Sequence, residues 1–304
     1  MSLAFLFPGQ GVDLAAVAGE WHACSSAARG LLDVAARQVG IPTARLLHGS
    51  GHALRDTAAY QPVLTAISIG ALLELTARGV RADRVAGHSL GELAALVAAG
   101  AMRPDCAVAL AATRGRAMAR AAEQNPGGML AVSARSRAEA EEAVTHARAH
   151  GRVEIAAHNA PDEWVLAGEW PALRAVPPRF APAPLATGGA WHSAAMAGAV
   201  RVYREALGGS IAGPPRLPFV CNRTGRLVRV EDDLTELLAA QLTHPVEWTT
   251  AMATLAALGT RTVITVGPGK QLRGLARRNL GREIQVLGVD SPADLATLVE
   301  ALAA

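Results

Sequence analysis

Gly87-His88-Ser89-Leu90-Gly91 sets a hydroxyl between two glycines, where the short apolar run Val85-Ala86 gives way to the alanine-rich stretch Glu92 to Ala99. Strand, sharp turn and helix in that order push a serine hydroxyl out at the tip of the turn as a nucleophile, and the glycines let the two elements pass closely. With 30 glycines in 304 residues the pattern also arises by chance, so its flanks decide. An ordinary strand-to-helix turn with a buried Ser89 is the plain alternative. A serine nucleophile needs a base within roughly 2.6 to 3.2 Å and a third group that fixes the imidazole tautomer. His192 is the strongest candidate base, because it follows the glycine-rich approach Gly188-Gly189-Ala190 at the start of a predicted helix. His88 adjoins the serine, and neighbouring side chains at such a turn point apart, so it is expected to brace the loop or touch substrate. His22, His48, His52, His146, His150, His158 and His244 lie mostly in polar or loop contexts and are read as surface or structural. No glycine-flanked acidic residue stands out as the third group, which leaves a carbonyl oxygen for that role.

These residues need a scaffold, and the apolar patterning supplies one. Leu3 to Phe7 predicts a buried strand ending in the loop Pro8-Gly9-Gln10-Gly11. Helices are expected over Leu31 to Val39, Gln61 to Ala77 and Asp105 to Glu123, the last carrying Arg114 and Arg116. Near Asn125-Pro126-Gly127-Gly128 the texture changes to a strand at Met129 to Val132, a helix at Arg137 to His150, and strands at Val153 to Ala157 and Trp164 to Ala167. That order resembles half or more of a small split βαβ sandwich, ending near the proline-rich Pro177 to Pro184. Beyond it, Trp191 to Leu207 and Asp232 to Leu242 read as helices and Pro218 to Cys221 as a strand. Thr262 to Val266 reads as the last clear strand, with a helix at Gln271 to Arg277 behind it. Strands on both sides of the insert predict an α/β fold in which 1–126 and 188–304 form a large catalytic domain and 127–187 a small inserted subdomain.

Composition narrows the class. The chain is 51% hydrophobic and 18% charged, enough to bury a large core, and its aromatic content of 4% means that core is built from small side chains. The net charge is +3 and Lys270 is the sole lysine; no basic run with interleaved aromatics occurs, which argues against a nucleic-acid partner. Cys24, Cys106 and Cys221 are odd in number and far apart, which favours a reducing compartment over a disulfide framework. The apolar N-terminus stops at Pro8-Gly9 without a basic leader, and Val63 to Leu73 is too short to span a bilayer. A soluble cytoplasmic protein without membrane contact follows, with a monomer as the working expectation.

Seven segments occur in a telling order: Pro8-Gly9-Gln10-Gly11, Gln61-Pro62-Val63-Leu64, Gly87 to Glu92, Arg114-Gly115, Trp191-His192-Ser193 with Met196, Gln241-Leu242 with Pro245-Val246 and Trp248, and Val266 to Lys270 with Leu272 and Gly274-Leu275. Together they resemble the malonyl-coenzyme A:acyl-carrier-protein transacylases and the related acyltransferase domains of polyketide synthases, from residue 3 to about residue 277. The resemblance implies an α/β-hydrolase-like large domain with a parallel sheet and a nucleophile elbow, plus an inserted ferredoxin-like small domain. It makes Ser89 the acylated nucleophile and His192 its base, with the backbone amides of Gln10 and Leu90 as the oxyanion hole. By the same resemblance Gln241 offers the carbonyl that orients the histidine, His88 and Asn159 line the pocket, and Arg114 grips the free malonyl carboxylate. A guanidinium suits that task, because its planar fork meets a carboxylate with two bonds. Malonyl-CoA would be the donor and an acyl carrier protein the acceptor, with no metal and no permanently bound cofactor.

Three departures bear on the acyl group. Val12-Asp13-Leu14 replaces a polar, methionine-containing loop, Trp191 stands where malonyl-selective members usually carry phenylalanine, and Ala186-Thr187-Gly188-Gly189 is unusually rich in glycine. The indole either narrows the acyl pocket or turns toward the pantetheine channel, and the glycines could leave room for something larger. Leu90 and the absence of a Tyr-Ala-Ser-His motif favour malonyl over methylmalonyl. The alternatives are transfer of another specialised acyl unit in polyketide biosynthesis, an editing thioesterase acting on acyl carrier proteins, and a non-catalytic carrier-binding scaffold.

Overall fold

The computed structural model describes residues 2–48 and 53–303; His52 and the side chain of His48, read above as structural histidines, lie outside the described part. In chain order the strands are β1 (Leu3–Phe7), β2 (Arg84–Gly87), β3 (Gly128–Ser133), β4 (Val153–Ala160), β5 (Glu163–Gly168), β6 (Ala183–Pro184), β7 (Phe219–Val220), β8 (Thr262–Val266) and β9 (Gln285–Val289). They form an all-parallel sheet in the order β7-β2-β1-β8-β9 and a separate antiparallel sheet in the order β4-β5-β3-β6.

Every residue of β1 and of β8 is buried, as expected of parallel strands covered by helices on both faces. The Ser26–Val39 helix is capped by Ser25, whose hydroxyl accepts from the Ala28 amide, and ends at Gly40 with φ 76°. The Thr57–Ala77 helix begins four residues before the expected Gln61, because Asp56 supplies its cap by accepting from the Ala58 amide. This helix, unlike the shorter apolar run considered from sequence, is long and apolar enough to cross a membrane, yet most of it is buried inside the protein. It packs against the Ser26–Val39 and Pro104–Gln124 helices.

Two expectations need correction. Thr262–Val266 is not the last strand: β9 pairs with it in parallel, followed by the Asp294–Ala303 helix. As an edge strand β9 is only partly buried and carries the exposed Gln285, so it lacks the dense apolar run of β8. The helix expected from Trp191 begins later, at Ala197, after a turn at 191–193 and a single 3-10 turn at Ala194–Met196. His192 has φ 59°, which no helix accommodates, and the Ser193 hydroxyl accepts from the Ala195 amide to start the chain winding only there.

The antiparallel sheet has its own small core, in which Leu130, Val132 and Leu166 meet Ala140 and Val144 of the Arg137–Ala147 helix and Leu173 of the Trp170–Arg174 helix. The latter helix and the edge strand β6 were not legible in the sequence. The antiparallel sheet meets the rest of the chain where the backbone of His158 in β4 donates at 2.9 Å to the carbonyl of Val246, in the segment just before the Trp248–Ala257 helix, and the cleft described next is lined from both parts.

Candidate active site

The chain leaves β2 at Gly87 and turns sharply through His88 and Ser89 into the Glu92–Ala98 helix. Ser89 holds φ 50°, a left-handed conformation rare for a residue with a side chain. The glycines on either side are steric requirements. A Cβ on Gly87 would lie 2.0 Å from the Gly91 carbonyl carbon, and one on Gly91 would lie 2.2 Å from the Phe7 carbonyl oxygen at the end of β1. Asn222, just after β7, locks the turn from outside: its Oδ1 accepts the Ser89 amide and its Nδ2 donates to the Gly87 carbonyl.

Ser89 Oγ lies 2.8 Å from His192 Nε2, and His192 Nδ1 lies 2.8 Å from the Gln241 main-chain carbonyl. A carbonyl only accepts, so Nδ1 carries the hydrogen and Nε2 is left free to take the serine proton. Burial, helped by the positive charge of Arg114, pushes the His192 pKa down to about 3, so the imidazole is neutral at physiological pH. The fold thus brings together a serine, a neutral base and an orienting carbonyl that are far apart in sequence.

Arg114 comes from the middle of the Pro104–Gln124 helix and is 2% exposed. Its Nη1 donates to Gln61 Oε1 at 2.8 Å, and its Nη2 donates to Gln241 Oε1 at 2.8 Å and to Ser89 Oγ at 3.2 Å. Burial lowers its pKa, but a guanidinium stays charged regardless. Gln61 passes the connection on: its Nε2 donates to Thr57 Oγ1 at 2.9 Å, and that hydroxyl donates to Gln10 Oε1 at 3.0 Å. Gln10, on the loop after β1, is thereby tethered at the edge of the cleft, while Leu90 is buried directly after the nucleophile.

The cleft in front of Ser89 holds about 480 Å³ and is lined by Gln10, His88, Asn159, Trp191 and Leu272, among others. His88 points away from Ser89, as expected: its Nε2 is paired with Asn159 Oδ1 at 2.9 Å, and its ring packs edge-on against Trp248. Burial lowers the His88 pKa. Trp191 lines the cleft and is also packed inward. A Cβ on Gly189 would lie 2.6 Å from the indole Cζ3 and 2.8 Å from the Ala122 Cβ, so the glycine makes room for the indole and not for a larger acyl group. The Trp191 indole N–H is buried without a hydrogen-bond partner.

Sequence reasoning missed Asn222, Glu92 and Gln61 as members of this network. Glu92 stands three residues after Ser89, 1% exposed, and is linked to Gln241 Nε2. A charged residue inside an alanine-rich buried helix was the available signal. Among the described residues no group of three or more His, Cys, Asp or Glu side chains is placed to hold a metal ion.

Comparison with known proteins agrees with this geometry. Residues 4–292 match the family model described as acyl transferase domain. The malonyl CoA-acyl carrier protein transacylase of Mycobacterium bovis is 34% identical over 303 residues, covering 96% of this chain and 98% of the relative. The crystal structure of the Clostridium perfringens transacylase of the same name superposes with a TM-score of 0.92 at 25% identity, covering 100% of this chain and 98% of that one. A malonyl-transacylase solved in complex with its type II polyketide-synthase acyl-carrier protein superposes with a TM-score of 0.91 at 26% identity, over 99% of this chain and 100% of that one. The chain belongs to the acyl transferase family, and within it to the malonyl-CoA:acyl-carrier-protein transacylases and their polyketide-synthase relatives.

Proposed function

We propose that this protein carries a malonyl group from malonyl-CoA to the phosphopantetheine thiol of an acyl carrier protein, through a malonyl ester on Ser89. The observation that carries this reading is the buried Arg114 guanidinium, 3.2 Å from the hydroxyl of a serine that is itself hydrogen-bonded to a neutral histidine. A buried cation beside the nucleophile suits an acyl unit bearing its own carboxylate, and leaving that cation unpaired against an acetyl group costs a few kcal/mol.

In the first half-reaction His192 takes the Ser89 proton as Oγ attacks the thioester carbonyl. The amides of Gln10 and Leu90 hold the oxyanion, each worth about 3 kcal/mol in the transition state. Coenzyme A leaves as the thiol with the proton from His192. In the second half the carrier's thiol gives its proton to His192 and attacks the ester, which frees Ser89. Gln241 keeps the imidazole in the reactive tautomer throughout, and His88, Asn159 and Trp191 form the wall of the cleft. The carrier protein as partner is supported by the solved carrier complex of a relative.

The large parallel sheet with its elbow serves as an α/β-hydrolase-like catalytic domain made of 1–126 and 188–304. The strand order β4-β5-β3-β6 supports a ferredoxin-like reading of the insert 127–187. Three free cysteines support a reducing, cytoplasmic setting. A monomer is the proposed state, and the large apolar side chains exposed among the described residues are Trp170, Val202, Val230 and Leu258.

A second reading rests on Trp191. It stands in the wall of the cleft beside Thr187 and Leu185, and a tryptophan there reshapes the acyl pocket in a way that suits a trans-acting acyltransferase for a specialised carboxylated unit. Incubation with radiolabelled malonyl-, methylmalonyl- and acetyl-CoA, followed by carrier protein, decides. Label held on Ser89 from malonyl-CoA and passed to the carrier is expected; preference for acetyl, or rapid loss of label to water, would overturn the proposal.

A further inference from the structure

Glu92 opens the helix behind the nucleophile and is almost wholly buried. Its Oε1 accepts the Asn222 amide at 2.6 Å, and its Oε2 accepts from Gln241 Nε2. Gln241 spends the rest of its groups on the site: Nε2 also donates to the Ser89 carbonyl at 3.0 Å, Oε1 accepts from Arg114 at 2.8 Å, and its main-chain carbonyl holds His192. With both oxygens facing donors, Glu92 sits in a pocket shaped for the carboxylate form. Gln241 is thus fixed end to end, amide nitrogen toward Glu92 and amide oxygen toward Arg114. Were the Gln241 amide to turn over, its NH2 would face the guanidinium and Arg114 would lose an acceptor.

Among the described residues Arg114 makes no direct ion pair with a carboxylate; Glu92 is the acidic group that acts on it, with one glutamine amide between them. The other titratable groups facing Glu92 and Arg114 are the Cys221 thiol, the Tyr203 phenol and the His192 imidazole; burial pushes the first two upward and the imidazole down to about 3, so none of the three carries a charge near neutrality. Burial pushes the Glu92 carboxyl up to about 7, against the opposing pull of its hydrogen bonds and of Arg114.

We infer that Glu92 is a positioning residue and the resident counter-charge of Arg114, and that it takes up a proton from solvent when Arg114 engages the carboxylate of an incoming acyl unit. The inference rests on the proposed malonyl transfer and adds to it. Two carboxylates and one guanidinium in a water-excluded site leave one negative charge uncompensated, so the weaker acid protonates. The proton moves from solvent to a Glu92 oxygen; no bond of the acyl transfer changes, and the proton returns to solvent when the malonyl group leaves on the carrier.

The test is a proton count. Wild-type protein is mixed with malonyl-CoA in weakly buffered solution at pH 7.5 with an indicator dye, and the malonyl-Ser89 ester is quantified by mass spectrometry in the same samples. Uptake of about half a proton or more per ester is expected. Ester formation without uptake overturns the inference and leaves malonyl transfer standing, whereas failure to form the ester overturns both. Glu92→Gln, compared with wild type after its fold is checked by circular dichroism, is expected to abolish the uptake. It is also expected to lower the KM for malonyl-CoA several-fold, because the neutral amide already lacks the charge that competes for Arg114 and no proton has to be taken up. Persistent uptake in Glu92→Gln would likewise overturn the assignment.

Discussion

Ser89 and His192 meet through a 2.8 Å hydrogen bond while both hold left-handed backbones, at φ 50° and 59°. A side-chain-bearing residue in that region costs on the order of 1–3 kcal/mol and persists only where its surroundings over-determine it. For Ser89 the surroundings are the Gly87–Gly91 crossing and the two hydrogen bonds of Asn222. For His192 they are the Gln241 carbonyl and the Ser193 hydroxyl, which donates to the Ala190 carbonyl at 2.7 Å and so closes the loop around the histidine.

Asn222→Ala is therefore expected to leave the Ser89 amide and the Gly87 carbonyl without partners, destabilising the fold by about 1–3 kcal/mol. With the elbow free to relax, acylation of Ser89 should slow at least roughly tenfold, as expected when a reacting atom moves by a fraction of an ångström. Urea unfolding and single-turnover acylation check the two effects; a variant that loads at the wild-type rate would show the glycine crossing to be sufficient.

The contrast between Asn222 and Ser89 marks where the sequence stops being readable. Ser89 and His192 stand in local motifs legible in the residues themselves, Gln241 and Arg114 were legible through the resemblance to the transacylases, and short apolar runs located β1, β2 and β8. Asn222 and Glu92 act only because β7 lies beside β2 in the sheet, a neighbour relation between segments more than 100 residues apart. β9 escaped because an edge strand needs only one buried face. The purpose of Gly188-Gly189 could not be judged without knowing which way the indole turns.

Arg114→Ala should lower the rate of malonyl loading on the order of a hundredfold, about 3 kcal/mol for a charge-assisted bond made in a dry site. Acetyl loading should hold or rise, since that acyl group offers the guanidinium nothing to hold and is spared the cost of leaving a buried charge unmatched. Arg114→Lys should recover only part of the loss, because Gln61 and Gln241 are set to receive two different nitrogens of one planar fork. Steady-state competition between the two thioesters reads the ratio directly; equal losses for both would place Arg114 in maintenance of the serine alone.

Gly189→Ala is expected to drive the Trp191 indole toward the cleft, since the new methyl would stand 2.6 Å from its Cζ3. Malonyl loading should fall several-fold, with a rise in KM as the cleft narrows. Combining it with Trp191→Phe should restore part of the loading, because the smaller ring lets the methyl shift away from the Ala122 Cβ it would otherwise meet at 2.8 Å. The coupling energy of this double-mutant cycle should be about 1 kcal/mol or more, whereas independent effects that simply add would mean the two residues do not share that space.

Stability against pH should carry opposite signatures from the base and the buried acid. His192 titrates at about 3 in the folded protein against an ordinary 6.5, so between those values the unfolded chain holds the extra proton, and stability is lost as pH falls from 6.5. Glu92 titrates at about 7 against an ordinary 4.5, so the folded protein holds the extra proton, and the stability it contributes is complete below 4.5 and lost as pH rises through 7. Each proton contributes a slope of about 1.4 kcal/mol per pH unit, and between 4.5 and 6.5 the two slopes cancel. His192→Gln should then make stability decline with pH across that window relative to wild type, and Glu92→Gln should make it climb. Urea midpoints taken at half-unit steps from pH 4.5 to 7.5 measure both differences, while the other titrating groups contribute equally to all three proteins and drop out. Parallel curves for the three proteins would mean that neither side chain is held in the protonation state its burial demands.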